Sequence, residues 1–279
     1  MLNDQTIKLE LDLRNGLTRA LRKNSSWGKL FGDFIELLRK KRLNAYLFGG
    51  TVRDLLLVNV TEPPRDLDIV VDDGSFDFFR HDLATDEIKQ NRFGGLKCKF
   101  RSLEIDVWPL KSTWAFQKGY RDHISFASLP STTFFNLDAV VAEIAPAKGV
   151  ARKVFDCGFF NGVLHKRIEC NLTPTEYPEL NAVRGFVLGQ KTGFHFGNGF
   201  CRFLFDLVYV QRRTDFEAVQ LQHYKRVRVP QNILMSNVDE MRKLLNKNPE
   251  STFQPKFPRT TQKEFGFDPE PPCFEFAKP

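Results

Sequence analysis

Two short stretches of this sequence have the residue types for phosphoryl chemistry. The first is Gly49-Gly50, set between the apolar run Ala45-Tyr46-Leu47-Phe48 and the segment Thr51 to Leu57. Read as a buried strand, a turn and a helix, it brings backbone N–H groups and the positive end of a helix dipole to the turn, which suits phosphate. Arg53 adds a fixed positive charge nearby. The second stretch is Asp66-Leu67-Asp68-Ile69-Val70-Val71. Its two-residue strand period gathers Leu67, Ile69 and Val71 on one face and sets Asp66 and Asp68 side by side on the other. Neighbouring carboxylates repel, and a bound cation relieves the repulsion; hard oxygen ligands favour magnesium or manganese. A lone D-x-D pair is usually a solvated strand face, but one that closely follows a Gly-Gly phosphate turn is far more specific.

The pattern Gly49-Gly50-x-Val52-Arg53-Asp54-x-Leu56-Leu57, then Pro64-x-Asp66-x-Asp68, resembles the head-domain signature of the class II tRNA CCA-adding enzymes and bacterial poly(A) polymerases. Those are nucleotidyltransferases of the polymerase-beta superfamily. The resemblance implies that Gly49 and Gly50 hold the incoming triphosphate, with Arg53 beside it, and that Asp66 and Asp68 bind two metal ions. Asp54 is read as a structural partner of Arg53 or a first-turn helix acid rather than a ligand.

A two-metal centre takes a third acidic ligand. In Glu104-Ile105-Asp106-Val107-Trp108, alternation puts Ile105 and Val107 on one face and both acids with Trp108 on the other. Asp106 is the chosen ligand, and Glu104 is the competing assignment. A surface ion pair from Asp106 to Lys97 or Lys99 is the alternative reading. Trp108, Trp114 and Phe116 are read as core rather than as a base-stacking wall.

The resemblance extends to Ser131 through Val140, where the family has R-R-D-F-T-x-N-A, an element that contacts the nucleotide sugar in the relatives. Phe135 falls on the family phenylalanine and Asp138-Ala139 on its N-A, while Thr132, Thr133 and Phe134 replace the arginines and aspartate. Asn136 and Asp138 are therefore nucleotide contacts by resemblance, or residues that cap and turn the backbone. Arg184 falls on the first arginine of the family's R-A-x-R-F segment, and Gly193-Phe194 on its G-F; Val187 replaces the second arginine. The relatives' E-D-x-x-R template, which reads the base edge, meets Tyr177, Pro178 and Asn181 here, so a CCA-specific template is not expected.

Around these motifs the expected class is α+β: a mixed-sheet nucleotidyltransferase head flanked by helices, followed by a helical neck. The boundaries read as an N-terminal helical segment over 1–24, a head over 25–170, a neck over 171–247 and an extended Pro/Phe-rich tail over 248–279. Leu13, Leu17, Ala20 and Leu21, then Leu30, Phe31, Phe34, Ile35 and Leu38, recur at helical spacing on either side of Asn24-Ser25-Ser26. Phe76 to Gln90 reads as one helix, and Leu96 to Trp108 as a hairpin-like strand pair. The basic cluster Arg39 to Arg42 reads as a solvated helix cap.

Composition bounds the partners. With 279 residues there is sequence enough for a core, and 41 Lys+Arg against 34 Asp+Glu gives +7, a balance that permits a polyanionic partner. No run approaches the roughly 20 apolar residues of a membrane span, and the N-terminus lacks a signal-peptide core, so the expectation is a cytoplasmic protein with no membrane partner. The 5 cysteines are scattered, without C-x-x-C, and indicate neither a disulfide framework nor a zinc site. The expected activity is transfer of a nucleoside monophosphate from an NTP such as ATP, with two Mg2+ or Mn2+ ions, to an RNA 3′ end, a tRNA end among them. Nucleotidylation of a protein hydroxyl, as in toxin or defence systems, or of a small molecule needs the same centre. A non-catalytic RNA- or nucleotide-binding regulator on the same head is the competing class, and retention of all three carboxylates argues against it.

Overall fold

Alternation along short strands decides which way each side chain of the sheet faces. The chain is described from a computed structural model over residues 2–22, 24–57, 64, 66–81, 88–91, 94–100 and 103–257; the side chains of Leu2, Asn3, Asp66, Phe100 and Leu103 lie outside that description. It divides into two units, Met1–Leu164 and His165–Pro279.

The first unit runs α1 (Leu2–Ala20), α2 (Ser26–Lys41), β1 (Ala45–Phe48), α3 (Gly50–Leu57), β2 (Asp66–Val71), α4 (Asp73–His81), β3 (Ile88–Gln90), β4 (Leu96–Phe100), β5 (Leu103–Pro109), α5 (Trp114–Gln117), β6 (Val140–Glu143), β7 (Val154–Asp156) and α6 (Phe159–Leu164). The strands form one seven-stranded sheet in the order β3-β4-β5-β2-β1-β6-β7. Only β2 and β5 run parallel; every other pairing is antiparallel. On one face Leu47, Leu67, Ile69, Val71, Ile105 and Val107 pack with Leu13 and Leu17 of α1, Phe31 and Phe34 of α2 and Phe79 of α4. On the other, Tyr46, Val70 and Val141 pack with Phe116 and Leu129. Phe116 and Trp108 thus belong to core packing; Trp108 lies edge-on to Phe48 and its indole N–H donates to Thr113 Oγ1 at 3.2 Å.

The first unit runs to Leu164 and includes α1, because Leu13 and Leu17 are buried in the same core as α2. Ser25 caps α2 by accepting from the Gly28 N–H at 2.8 Å, which separates the two helices without separating their core. The helix expected to run through Gln90 ends at His81. Ile88–Gln90 instead add an edge strand to β4, all three residues exposed. Past Phe79 the apolar stripe fades, and pairing with an open sheet edge carries a charged residue, Lys89, without penalty.

The second unit is mainly helical: β8 (Arg167–Ile168), α7 (Pro178–Thr192), β9 (His195–Phe196), α8 (Asn198–Phe205), α9 (Phe216–Tyr224) and α10 (Gln231–Lys247), with β8 and β9 parallel. Buried polar groups hold its connections. The Gln220 amide accepts from the Arg228 and Val229 N–H groups, each at 2.8 Å, and donates to the Phe216 and Val229 carbonyls at 3.1 and 2.8 Å. Glu169 accepts from Gly199 N at 3.2 Å and Phe200 N at 2.7 Å, so the N-terminus of α8 is closed by the chain's own carboxylate. Past α10 the chain lies extended, as its proline content suggests. Phe253 and Phe196 exchange backbone hydrogen bonds at 2.7 and 2.9 Å, and Asn237 grips both backbone groups of Lys256. Residues 258–279 of the expected tail lie outside the described residues. Among the described residues, no helix is long and apolar enough to cross a membrane.

Gly185 of α7 lets the buried Phe200 ring of α8 come close: a Cβ there would collide with that ring, itself packed against Phe196 and Phe203. Gly185→Ala is expected to destabilise the second unit by about 1–3 kcal/mol through overpacking, measured by chemical denaturation.

Candidate active site

Strand direction brings the candidate residues of the first unit to one end of its sheet. β1 finishes there with Phe48, and Gly49-Gly50 follow. β2 is antiparallel to β1, so it begins there with Asp66 and Asp68. β5 is parallel to β2 and begins there with Glu104 and Asp106. β6 is antiparallel to β1 and begins there too, immediately after Asn136–Asp138. Adjacent strands are about 4.8 Å apart, so these groups span only a few strand spacings.

The carboxylates are set by register. Asp66 lies level with Glu104 and Asp68 with Asp106 across the parallel pair, while Leu67 and Ile105 between them are buried at 1% and 0% exposure. Asp68 and Asp106 therefore share one face of the sheet, opposite the main core. Lys97 of β4 pairs with Asp106, and its ammonium lies 3.6 Å from Glu104 Oε2 and 4.0 Å from Asp106 Oδ2. The ion pair to Lys97 exists, and it involves both acids. The Asp106 side chain is 13% exposed and that of Glu104 40%, so Asp106 is the more enclosed ligand candidate. On the same strand pair, burial and then Asp106 push the Cys98 thiol up to about 11, so it remains a neutral core group at physiological pH.

Asp66 is described only as backbone. Among the described residues, no three His, Cys, Asp or Glu side chains are grouped to hold a metal ion. Carboxylate oxygens are the donor type that hard divalent cations take, and here the Lys97 ammonium is drawn to both Glu104 and Asp106.

The Gly-Gly turn is built differently from its sequence reading. Gly49 has φ +64°, the left-handed region that glycine tolerates, and its N–H donates to the Val140 carbonyl at 3.1 Å. That N–H is engaged in the sheet. Gly50, as the first residue of α3, has an N–H with no intrahelical acceptor, and is the better phosphate donor of the two. A Cβ on Gly50 would stand 3.4 Å from the Arg53 guanidinium, so glycine here also makes room for Arg53.

Arg53 is 2% exposed. Its Nε donates to Asp54 at 2.9 Å and its Nη1 to Asp138. The expected Arg53–Asp54 pairing is present. The bond to Asp138 had no local signal, since it joins residues far apart in sequence. Asp138 is 8% exposed and braces the turn through Arg53, and Asn136, equally buried, begins the short helical turn that leads into β6. Arg184 lies half-buried on α7 in the second unit. Arg53→Met would leave two carboxylates without their cation, one of them buried. The expected loss is about 3 kcal/mol in chemical denaturation of the full chain, with part recovered by Arg53→Lys.

No family model matches the chain, and no curated protein matches it by sequence. Solved structures do match. A tRNA nucleotidyltransferase complexed with a primer tRNA and an incoming ATP analog superposes with a TM-score of 0.52 at 17% identity, over 76% of this chain and 61% of that one. A tRNA-processing enzyme complex gives 0.51 at 17% identity, over 75% and 56%. A Thermotoga maritima CCA-adding enzyme complexed with tRNA gives 0.49 at 16% identity, over 86% and 62%. The chain thus spans between 56 and 62% of the length of these structures. What is shared at this identity is the fold.

Proposed function

We propose that the chain transfers a nucleoside monophosphate from a nucleoside triphosphate to an acceptor hydroxyl, with an RNA 3′ end as the acceptor. The observation that carries this reading is the level pairing of Asp68 with Asp106 across β2 and β5, at the sheet end where Gly49-Gly50 opens α3. Support for RNA comes from the net charge of +7 and from fold neighbours solved with a primer tRNA and an ATP analog.

Two divalent ions, Mg2+ or Mn2+, would be held by Asp66, Asp68 and Asp106, with Glu104 as the outer acid. When bound, such ions lower the pKa of an attacking hydroxyl and neutralise charge on the departing pyrophosphate. The balance is that of an in-line displacement. The acceptor oxygen bonds to the α-phosphorus, the bond from that phosphorus to the bridging oxygen breaks, and the hydroxyl proton passes to solvent. The chain's own part is positioning. The Gly50 N–H and the start of α3 face phosphate oxygens, while Arg53, shared between Asp54 and Asp138, stiffens the turn rather than neutralising the triphosphate alone. Asn136 is the remaining nucleotide contact of the first unit in this reading, and for Arg184, on α7 of the second unit, the family resemblance alone supports such a role. Tyr177, Pro178 and Asn181 supply no charged base-edge template, so nucleotide choice would rest on other groups.

The test is incubation of the purified chain with each labelled NTP, Mg2+ or Mn2+ and total cellular RNA, beside Asp66→Ala/Asp68→Ala. Label on RNA that falls to background in the variant is the expected result and identifies the nucleotide. Label on protein would move the acceptor to a polypeptide. No label, with no metal-dependent triphosphate binding, would replace the enzyme by a non-catalytic module.

A further inference from the structure

The other end of the first unit's sheet has the opposite charge. β1 begins there and β6 ends there, with the Ile144 N–H donating to the Ala45 carbonyl at 3.0 Å. The loop that leads on to β7 closes, with α1 and the last turns of α2, over a cavity of about 370 Å³. Its wall contains Arg14, Arg39, Lys148 and Arg152, and no acidic residue.

These cations are unequally compensated. Arg14 is held by Glu10 through its Nε at 3.0 Å, and Arg39 by Glu36 at 2.7 Å and the Pro146 carbonyl at 3.2 Å. Such partly exposed pairs along one helix are weak, and a stronger anion displaces them readily. Lys148 and Arg152 have no carboxylate partner among the described residues. Arg152 is 6% exposed, spends Nη1 on the Glu143 and Ile144 carbonyls, and leaves its buried Nε without a hydrogen-bond partner. The nearby Glu143 carboxylate is turned instead to the Lys153 N–H at 3.1 Å. Burial, and then Arg39, push the Arg152 pKa down to about 10, and the opposing pull of Glu143 only partly offsets them.

We propose that this cavity binds a phosphate group, and that in use the phosphate is a backbone phosphodiester of the RNA acceptor, held at the sheet end remote from the carboxylates. Arginine forks and a lysine around a small recess are the usual recognition chemistry for phosphate. Exposed apolar groups at the same mouth, Leu11 at 54% and Val150 at 56%, suit the sugar and base surfaces that flank a backbone phosphate and have no use for a free inorganic ion. Only the owner of the phosphate rests on the RNA-transferase reading; the anion site does not.

The test separates the two readings by leaving out divalent ions. Binding of inorganic phosphate by calorimetry, and of a labelled RNA oligonucleotide by fluorescence anisotropy across a salt series, is measured for the full chain, Lys148→Glu and Lys29→Glu. Lys29 is an exposed residue in the first turn of α2, so it matches the charge change away from the cavity. The expected result is a several-fold weaker RNA complex for Lys148→Glu than for Lys29→Glu and a salt slope reduced by about 0.7 for the lost contact. Loss of phosphate binding alone, with RNA binding equal in both lysine variants, would overturn the RNA assignment. Equal behaviour of both lysine variants toward both ligands would overturn the site.

Discussion

The single parallel pairing in an otherwise antiparallel sheet, β2 against β5, fixes where acid can gather. Two parallel strands start at the same end, so Asp66, Asp68, Glu104 and Asp106 all arrive there; antiparallel strands would have sent one pair to each end. Register is held from behind. Leu67, Ile69, Val71, Ile105 and Val107 are each no more than 1% exposed, and a slip of one residue would turn that set toward the carboxylate face. Burying each is worth about 1.5–3 kcal/mol, whereas two carboxylates about 5 Å apart repel by about 3 kcal/mol at an effective dielectric of about 20. The core therefore outweighs the repulsion several times over and can hold the acids together before any cation arrives. Lys97 offsets part of what remains.

The same logic makes Arg53 a brace before it is a ligand. A guanidinium buried at 2% exposure must be paired, and its partners tie the start of α3 to the residues that lead into β6. Arg53 is thus engaged by Asp54 and Asp138 before any triphosphate arrives. What it supplies is a turn that does not move, and with it a fixed direction for the Gly50 N–H. Preorganised dipoles of that kind act without reorganising when charge develops on a phosphate.

Period-two patterning made β2, β4 and β5 legible in the sequence, and with them the shared face of Asp68 and Asp106; β1 was legible as an unbroken apolar run. The Gly-Gly turn and α3 were legible for a similar reason, because glycine there answers a positive φ. Four features were not. The Arg53–Asp138 bond depends on β6 lying beside β1, which no local pattern announces. The engagement of the Gly49 N–H by Val140 depends on the same strand neighbour. The edge strand at Ile88–Gln90 was hidden because its exposed residues have no buried face to impose a period. Arg39 was read as a solvated cap on α2, yet it meets Pro146, a residue brought near only by the β6–β7 connection. In each case the missing information was long-range pairing, not residue chemistry.

Sheet polarity links the two charged regions. β1 runs from the basic end to the Gly-Gly turn, β6 runs back from Asp138 to the loop that holds Lys148 and Arg152, and both strands are only four residues long. At about 3.4 Å per residue, the two ends are separated by roughly 14 Å, beyond the Debye length of about 8 Å at physiological salt. Through solvent the cations are too distant to neutralise the acids, so each region keeps its own charge. A polynucleotide carries phosphates at every residue, and is the kind of ligand whose length lets one molecule meet both.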